Sequence, residues 1–225
     1  MSIMRASKSP KKIVFIQGNI SSGKSTLTRN LKEKGYVVYE EPVDLWTNDY
    51  KDDQGTNSLQ LFYQKMKETA FLFEMLVART RWKIITKALQ SDDEIIFIER
   101  NLDTDLNVFA LNLFESGLMN ELEWRLFKEY HQDKIEDISH LFKDVEIFQL
   151  YLRANPEVCF ERKHGRNRQE EKGIPLDYFK VIHQRHDNWL GTTTVPKNKI
   201  HIINGNASIE KVLDDSTVFI NDHLL

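Results

Sequence analysis

Gly18-Asn19-Ile20-Ser21-Ser22-Gly23-Lys24-Ser25 has the spacing G-x-x-x-x-G-K-S. That pattern does one kind of chemistry, the binding of phosphate. Its glycines permit a tight backbone turn, so successive N–H groups point at phosphate oxygens, and the following helix adds its positive end. Lys24 then reaches the terminal phosphates and Ser25 offers its hydroxyl to Mg2+. Thr26 extends the same stretch. The loop implies a bound nucleoside triphosphate, but a switch, a motor, a sensor and a kinase all need one.

Carboxylates and arginines further along could turn binding into transfer. Glu40 and Glu41 precede Pro42, and a carboxylate there could accept a proton from an attacking hydroxyl. A solvated acidic turn fits the same residues. Glu99 ends an apolar run, where P-loop proteins place a Mg2+-directed acid, and Arg100 beside it could stabilise a phosphoryl group or hold a carboxylate. The segment "ERKHGRNRQEEKG" carries Arg162, Arg166 and Arg168, punctuated by Gly165 and Gly173. Arginine forks suit phosphate oxygens, and a lid carrying them would exclude water from the transfer.

An acceptor pocket is suggested by "YQKMKETAFLFEMLVARTRW". Glu74 interrupts an apolar stretch, which burial disfavours without a partner. Arg81 lies seven positions on, nearly two helical turns, so the two share a face; Tyr63 joins them if the helix is unbroken. Asp105 and Phe109 share a face of a later helix. Phe73 and Phe109 as walls, with Glu74, Arg81 and Asp105 between them, would suit a flat hydrogen-bonding ring. Core aromatics beside a salt-bridge cluster are the plainer alternative.

These residues need a scaffold, and five runs supply it: 12–17, 36–40, 94–99, 146–152 and 199–203. They are short, rich in Val and Ile and mostly apolar on both faces, as buried parallel strands are. Helical patterns separate them, which predicts an α/β, P-loop NTPase-type parallel sheet of about five strands with helices on both faces and a short Arg-rich lid at about 162–173. The stretch between Asn57 and Gln90 has no Gly or Pro and reads as helix, as does Asn101 to Glu115. Asn155-Pro156 reads as a helix start. Residues 162–175 read as irregular.

The bulk numbers narrow the class. The 225 residues suffice for one domain with a lid, here 12–225, behind a basic flexible tail at 1–11. That tail lacks the apolar core of a secretory signal; a very short mitochondrial presequence is the other reading. A net charge of −3 gives no whole-chain reason to expect nucleic-acid or membrane binding, and no apolar run approaches the ~20 residues that span a bilayer. Cys159 is the sole cysteine, so no intramolecular disulfide forms, and an intracellular, cytoplasmic location fits.

In order along the chain, "GNISSGKST", "EEPVDLW", "FLFEM", "IERN", "LYLRANPEVCFERKHGRNRQEEKGIPLDY" and "HQRHDNWL" resemble the deoxyribonucleoside kinase family, which contains the deoxycytidine and deoxyguanosine kinases. The resemblance implies ATP as donor, Mg2+ and transfer to a deoxynucleoside 5′-hydroxyl. It makes Glu41 rather than Glu40 the base, and Glu99 with Arg100 the metal-side acid and its neighbour. Arg162, Arg166 and Arg168 match the lid arginines, and Tyr63 and Glu171 the pair gripping the sugar 3′-hydroxyl. Phe73 and Phe109 match the base-sandwiching aromatics, with Arg81 and Asp105 at the base's far edge. A homodimer is the family's precedent.

The sequence departs from that pattern twice. Asn101 stands where Ser is usual, and Glu74 replaces a base-reading glutamine. An ionised carboxylate only accepts hydrogen bonds, which leans the base preference towards guanine, with its N1–H and N2–H2 donors. Two competitors stay open. A nucleoside monophosphate kinase would need extra cations near the acceptor phosphate, with Arg79, Arg81 and Lys67 available. A guanine-nucleotide switch should carry N-K-x-D, but Asn198-Lys199-Ile200-His201 lacks the Asp.

Overall fold

The computed structural model describes residues 10–166, 168–193 and 195–225. Five strands form one all-parallel sheet: β1 (Lys11–Gln17), β2 (Val37–Tyr39), β3 (Ile95–Glu99), β4 (Val145–Arg153) and β5 (Ile200–Asn204), in the order β2-β3-β1-β4-β5. Each run expected to be a strand is one, with ends moved by a residue or so. Ile13, Val14, Ile16, Ile96, Phe97, Leu150 and Leu152 have no measurable exposure. Alternate residues feed separate apolar clusters on the two faces, Ile13 and Phe15 on one and Val14 and Ile16 on the other. Such two-sided burial is why these strands read as continuous apolar runs.

The helices that matter to the site sit at the carboxyl ends of the strands, where open α/β sheets bind ligands. α1 (Lys24–Glu33) follows β1, and α2 (Val43–Asn48) follows β2. The expected helix through 57–90 is two: α3 (Ser58–Gln64), capped by Asn57 Oδ1 on Gln60 N, and α4 (Met66–Gln90). Lys65 breaks them with φ −133° and ψ 51°, a conformation helical hydrogen bonding cannot pass through. Tyr63 therefore does not ride on the helical stripe of Glu74 and Arg81.

After β3 come α5 (Leu102–Thr104), a π-helical turn at Asp105–Ala110 and α6 (Leu111–Glu115). The π turn widens the spacing assumed for an α-helical Asp105/Phe109 pair; such bulges recur at functional sites. Asn101 caps α5 through Oδ1 on Thr104 N at 3.0 Å, so this departure from the family pattern has a structural use. α7 (Glu121–Ser139) packs on α4.

α8 (Pro156–Arg166) starts at the expected proline and carries helix through Arg162, Gly165 and Arg166. The irregular loop expected from Arg162 onward is therefore helical in its first part; Gly165 makes no turn. A short 3-10 turn at Gln169–Glu171 and α9 (Leu176–Thr192) follow, and α10 (Ile209–His223) closes the chain. Of the expected 1–11 tail, residues 1–9 lie outside the described residues, and Lys11 already belongs to β1.

Candidate active site

The phosphate loop is built by the turn from β1 into α1. Gly18 has φ 147°, and a Cβ there would sit 2.6 Å from Ser22 Oγ and 2.8 Å from Leu152 O, so only glycine fits without displacing backbone. Gly23, at φ 111°, leads into an α1 N-terminus that has no side-chain cap and no acid in its first turn. Those free N–H groups are anion-binding groups in waiting. Ser21 and Ser22 each bury a hydroxyl oxygen that finds no partner. Lys24, 5% exposed, bends back to donate to Gly18 O at 3.1 Å and Asn19 O at 2.8 Å, with Glu99 Oε1 3.8 Å away. Burial, then Arg100, lower its pKa to about 8 against the opposing pull of Glu99 and Glu41. A cleft of about 960 Å³ opens over this loop. Ile20 through Thr26 line it, with Arg162, Arg166 and Arg168 and, from the chain's end, Ser208, Ile209 and Val212.

The residues present fit a triphosphate: orphaned hydroxyls, an uncapped helix and a lysine held by carbonyls it could exchange for phosphate. For Mg2+ they supply Ser25 and Glu99, both on the cleft wall. No cluster of three or more His, Cys, Asp or Glu suited to a metal occurs among the described residues. Mg2+ ordinarily takes one or two protein ligands plus phosphate oxygens and water, so this donor set suits metal that arrives with a nucleotide.

Glu41 stands at the neck between this cleft and a second, inner cavity; Glu41 and Arg100 line both. Arg81 Nη2 donates to Glu41 Oε1 at 2.8 Å, while Arg100 Nη1 donates to Oε1 at 2.6 Å and Oε2 at 2.7 Å. Burial alone would raise the carboxyl's pKa, but Arg100, Arg81 and Lys24 overcome it and hold Glu41 well below the usual carboxylate range. Glu40 points elsewhere, to Thr28 Oγ1 at 2.8 Å and to the Lys32 ammonium on α1. Both glutamates line the outer cleft, and of the two only Glu41 also lines the inner cavity. Arg100 reaches this position from a left-handed backbone, φ 62°, uncommon for a side-chain-bearing residue and a form of strain found at functional sites. Its guanidinium also lies 4.8 Å from the centroid of Phe109.

Tyr63, Phe73, Glu74, Arg81, Asp105 and Phe109 all line the inner cavity, and Glu171 with them. Arg81 is 1% exposed and every nitrogen is engaged: Nε with Asp105 at 2.7 Å, Nη1 with Glu99 O and Nη2 with Glu41. Burial raises Asp105 to about 6 despite Arg81. Phe73 stacks on Phe62 at 4.6 Å and meets Trp46 edge-on at 5.7 Å. Arg168 pairs with Glu171 at 2.7 Å, and Asn57 Nδ2 donates to Glu170 at 3.0 Å, docking the 3-10 turn on the start of α3. Arg162 donates to Gly205 O at 2.7 Å and Ser22 O at 3.3 Å.

Three expectations change. The inner cavity is about 70 Å³, room for about two waters at ~30 Å³ each and less than the ring-sized pocket the sequence suggested. Arg79 and Lys67 are exposed and line neither cavity, so a monophosphate would find neither of them. Glu74 is 4% exposed, and burial followed by Asp105 pushes its pKa well above the ordinary carboxylate value. Burial thus works against the ionised carboxylate on which the lean towards guanine rested.

Sequence reasoning missed Tyr178 of α9 and Trp46 of α2, both on the inner wall. It also missed the start of α10, which walls the outer cleft. Tyr178 and Trp46 fall within "LYLRANPEVCFERKHGRNRQEEKGIPLDY" and "EEPVDLW", but nothing in a single sequence orients their rings. The residues around Ser208 carry only a helix-cap signal.

Residues 14–221 match the deoxynucleoside kinase family profile. The chain is 32% identical over 208 residues to a probable deoxycytidine kinase of fowlpox virus (strain NVSL), spanning 91% of this chain and 82% of that one. It is 34% identical over 203 residues to deoxycytidine kinase 1 of Xenopus laevis, spanning 82% and 76%. It is 32% identical over 199 residues to the mitochondrial deoxyguanosine kinase of the same organism, spanning 81% and 74%. With a profile match along nearly its whole length and relatives above 30% identity, this chain belongs to the deoxynucleoside kinase family of phosphotransferases.

Proposed function

We propose that the protein transfers the γ-phosphoryl group of ATP to the 5′-hydroxyl of a deoxyribonucleoside, with residues 12–225 acting as one catalytic unit. The observation that carries this reading is the position of Glu41: an anion fixed by two buried arginines at the neck joining a phosphate-binding cleft to a ring-lined cavity. A hydroxyl entering from the inner side meets the carboxylate, and the donor phosphates lie on the other.

In this reading the acceptor oxygen forms a bond to the γ-phosphorus, the bond to the bridging oxygen breaks, and ADP leaves with that electron pair. Mg2+, held by Ser25 and Glu99, would neutralise charge on the phosphate oxygens. Glu41 orients the hydroxyl and takes its proton. Because Arg100 and Arg81 make Glu41 a weak base, that proton moves late, as suits a loose phosphoryl transfer that asks mainly for positioning and charge neutralisation. Lys24 and the arginines of α8 and the lid face the transferring group. Tyr63 and Glu171, whose Oε2 is buried and unpartnered, would hold the sugar. Phe73 and Phe109 would flank the base.

The acceptor class is tested by supplying ATP, Mg2+ and each deoxynucleoside or its 5′-monophosphate, and following ADP together with the position of the new phosphoester. Formation of 5′-monophosphates supports the reading; turnover confined to monophosphate acceptors refutes it. The reading includes an intracellular homodimer acting on small molecules, with no nucleic-acid or membrane partner. Leu72 on α4 and Leu122 and Leu126 on α7 are exposed apolar residues available to a dimer contact, and sedimentation equilibrium tests it. No helix among the described residues is long and apolar enough to cross a membrane.

A further inference from the structure

Glu74 is a buried carboxyl without a salt bridge among the described residues; Arg81 and Arg100 attract its charge only from a distance, against burial and Asp105. Its Oε2 is shielded from solvent and makes no hydrogen bond. Among the described residues no lysine, arginine or histidine nitrogen lies within 4 Å of it. Arg81, seven residues along the same helix, is fully committed to Asp105, Glu41 and Glu99 O. Arg100, from the end of β3, spends Nη1 on Glu41 and Nη2 on Gly18 O. The anions Asp105 from the π turn and Glu41 from the end of β2 face the same cavity and repel a charge on Glu74. Tyr178 of α9 and Tyr63 of α3 add neutral hydroxyls, held un-ionised by burial. The lid contributes Arg168, but its contact is Glu171. An ionised Glu74 would thus be a buried charge without a salt bridge beside two others, an unfavourable state relieved by taking up a proton.

Resting on the reading above that this cavity receives the base, we propose that Glu74 reads the base as a neutral carboxylic acid. In that form it carries one O–H donor and one carbonyl acceptor, the same pair an amide side chain offers. It can donate to a ring nitrogen while accepting from the adjoining exocyclic amine. Cytosine (N3 and N4–H2) and adenine (N1 and N6–H2) present that edge. Guanine is still accommodated through O6 and N1–H, but it loses the advantage an acceptor-only carboxylate would have conferred. The substrate class assigned is therefore amino-bearing pyrimidine and purine deoxynucleosides, deoxycytidine and deoxyadenosine, and guanine specificity is a high-pH property of this site.

The test compares kcat/KM for deoxycytidine, deoxyadenosine and deoxyguanosine in wild type, Glu74→Gln and Glu74→Leu. At about pH 7 the wild-type and Glu74→Gln preference ratios should agree within about threefold, since both side chains present one donor and one acceptor. Raising the pH from about 6 to about 8.5 should move the wild-type ratio only towards deoxyguanosine and leave that of Glu74→Gln flat. Glu74→Leu should lose at least about a hundredfold on all three acceptors, because the base edge is left unpaired. A wild-type ratio displaced about tenfold or more towards deoxyguanosine at pH 7, relative to Glu74→Gln, overturns the proposal. Full activity in Glu74→Leu also overturns it. If wild type phosphorylates no deoxynucleoside at any pH, it is the underlying functional reading that fails instead.

Discussion

Replacing Glu41 by glutamine removes one negative charge from the centre of the site while keeping its shape. In the wild type, Oε1 accepts from Arg81 at 2.8 Å and Arg100 at 2.6 Å, and Oε2 accepts from Arg100 at 2.7 Å. Whichever way the new amide turns, its NH2 group faces at least one arginine donor head-on. Arg81 keeps Asp105, but Arg100 loses its only salt-bridge partner among the described residues. Breaking a buried pair of this kind costs about 3–5 kcal/mol; the partial exposure of Glu41, 14% of its side chain, favours the lower end. For a chain of this size, about 3 kcal/mol lowers Tm by roughly 6–12 °C. Loss of the hydroxyl's proton acceptor should lower kcat by about 10²–10⁴. Differential scanning calorimetry and steady-state assays well below the new Tm separate the two effects. A folded Glu41→Gln protein with kcat within about threefold of wild type would refute the assigned role of this carboxylate. An unchanged Tm would refute the account of the ion-pair network.

Other consequences follow from the same geometry. Lys24 is lowered to about 8 in the free protein, and bound phosphate would raise it again. Triphosphate affinity contributed by this charge is thus fully present below about 8 and is lost as pH rises from there towards the higher value of the phosphate-bound lysine, which calorimetric titration of ATP across the range would show as rising Kd and proton uptake. In Gly18→Ala, the added Cβ meets Leu152 O at 2.8 Å, so ATP binding should weaken by about tenfold or more and stability fall by about 1–3 kcal/mol, read by titration and melting. Glu74 has a raised folded pKa, so wild-type stability falls as pH climbs from the unfolded value, about 4.3, towards the folded one. Glu74→Gln lacks that fall, and its Tm advantage should grow by about 3–5 °C per pH unit through that interval.

The sheet was legible because each strand is buried on both faces and writes that burial as an unbroken apolar run. The phosphate loop was legible because its spacing is its mechanism. What the sequence could not carry is set by elements meeting from afar. The break at Lys65 has no Gly or Pro to announce it, and the π turn at Asp105–Ala110 leaves the apolar pattern almost unchanged. Residues 162–166 look like a charged loop because α8 has a weakly apolar face, with only Cys159 and Lys163 buried. Glu74 shows the limit most clearly. Its place on a stripe with Arg81 could be counted out in residues, but its raised pKa comes first from burial in the packed site and then from Asp105 approaching from another helix, against the pull of Arg81. Tyr178 comes from more than 100 positions further on, and only the packing of α9 brings it there.

The central claim is that the anion at the neck faces an acceptor hydroxyl, and it is tested most directly by label transfer from γ-labelled ATP. With Mg2+ and an equimolar mixture of deoxynucleosides and deoxynucleoside 5′-monophosphates, the account predicts label in 5′-monophosphates, formed at least about a hundredfold more slowly in Glu41→Gln. Label confined to diphosphates or to inorganic phosphate would contradict it.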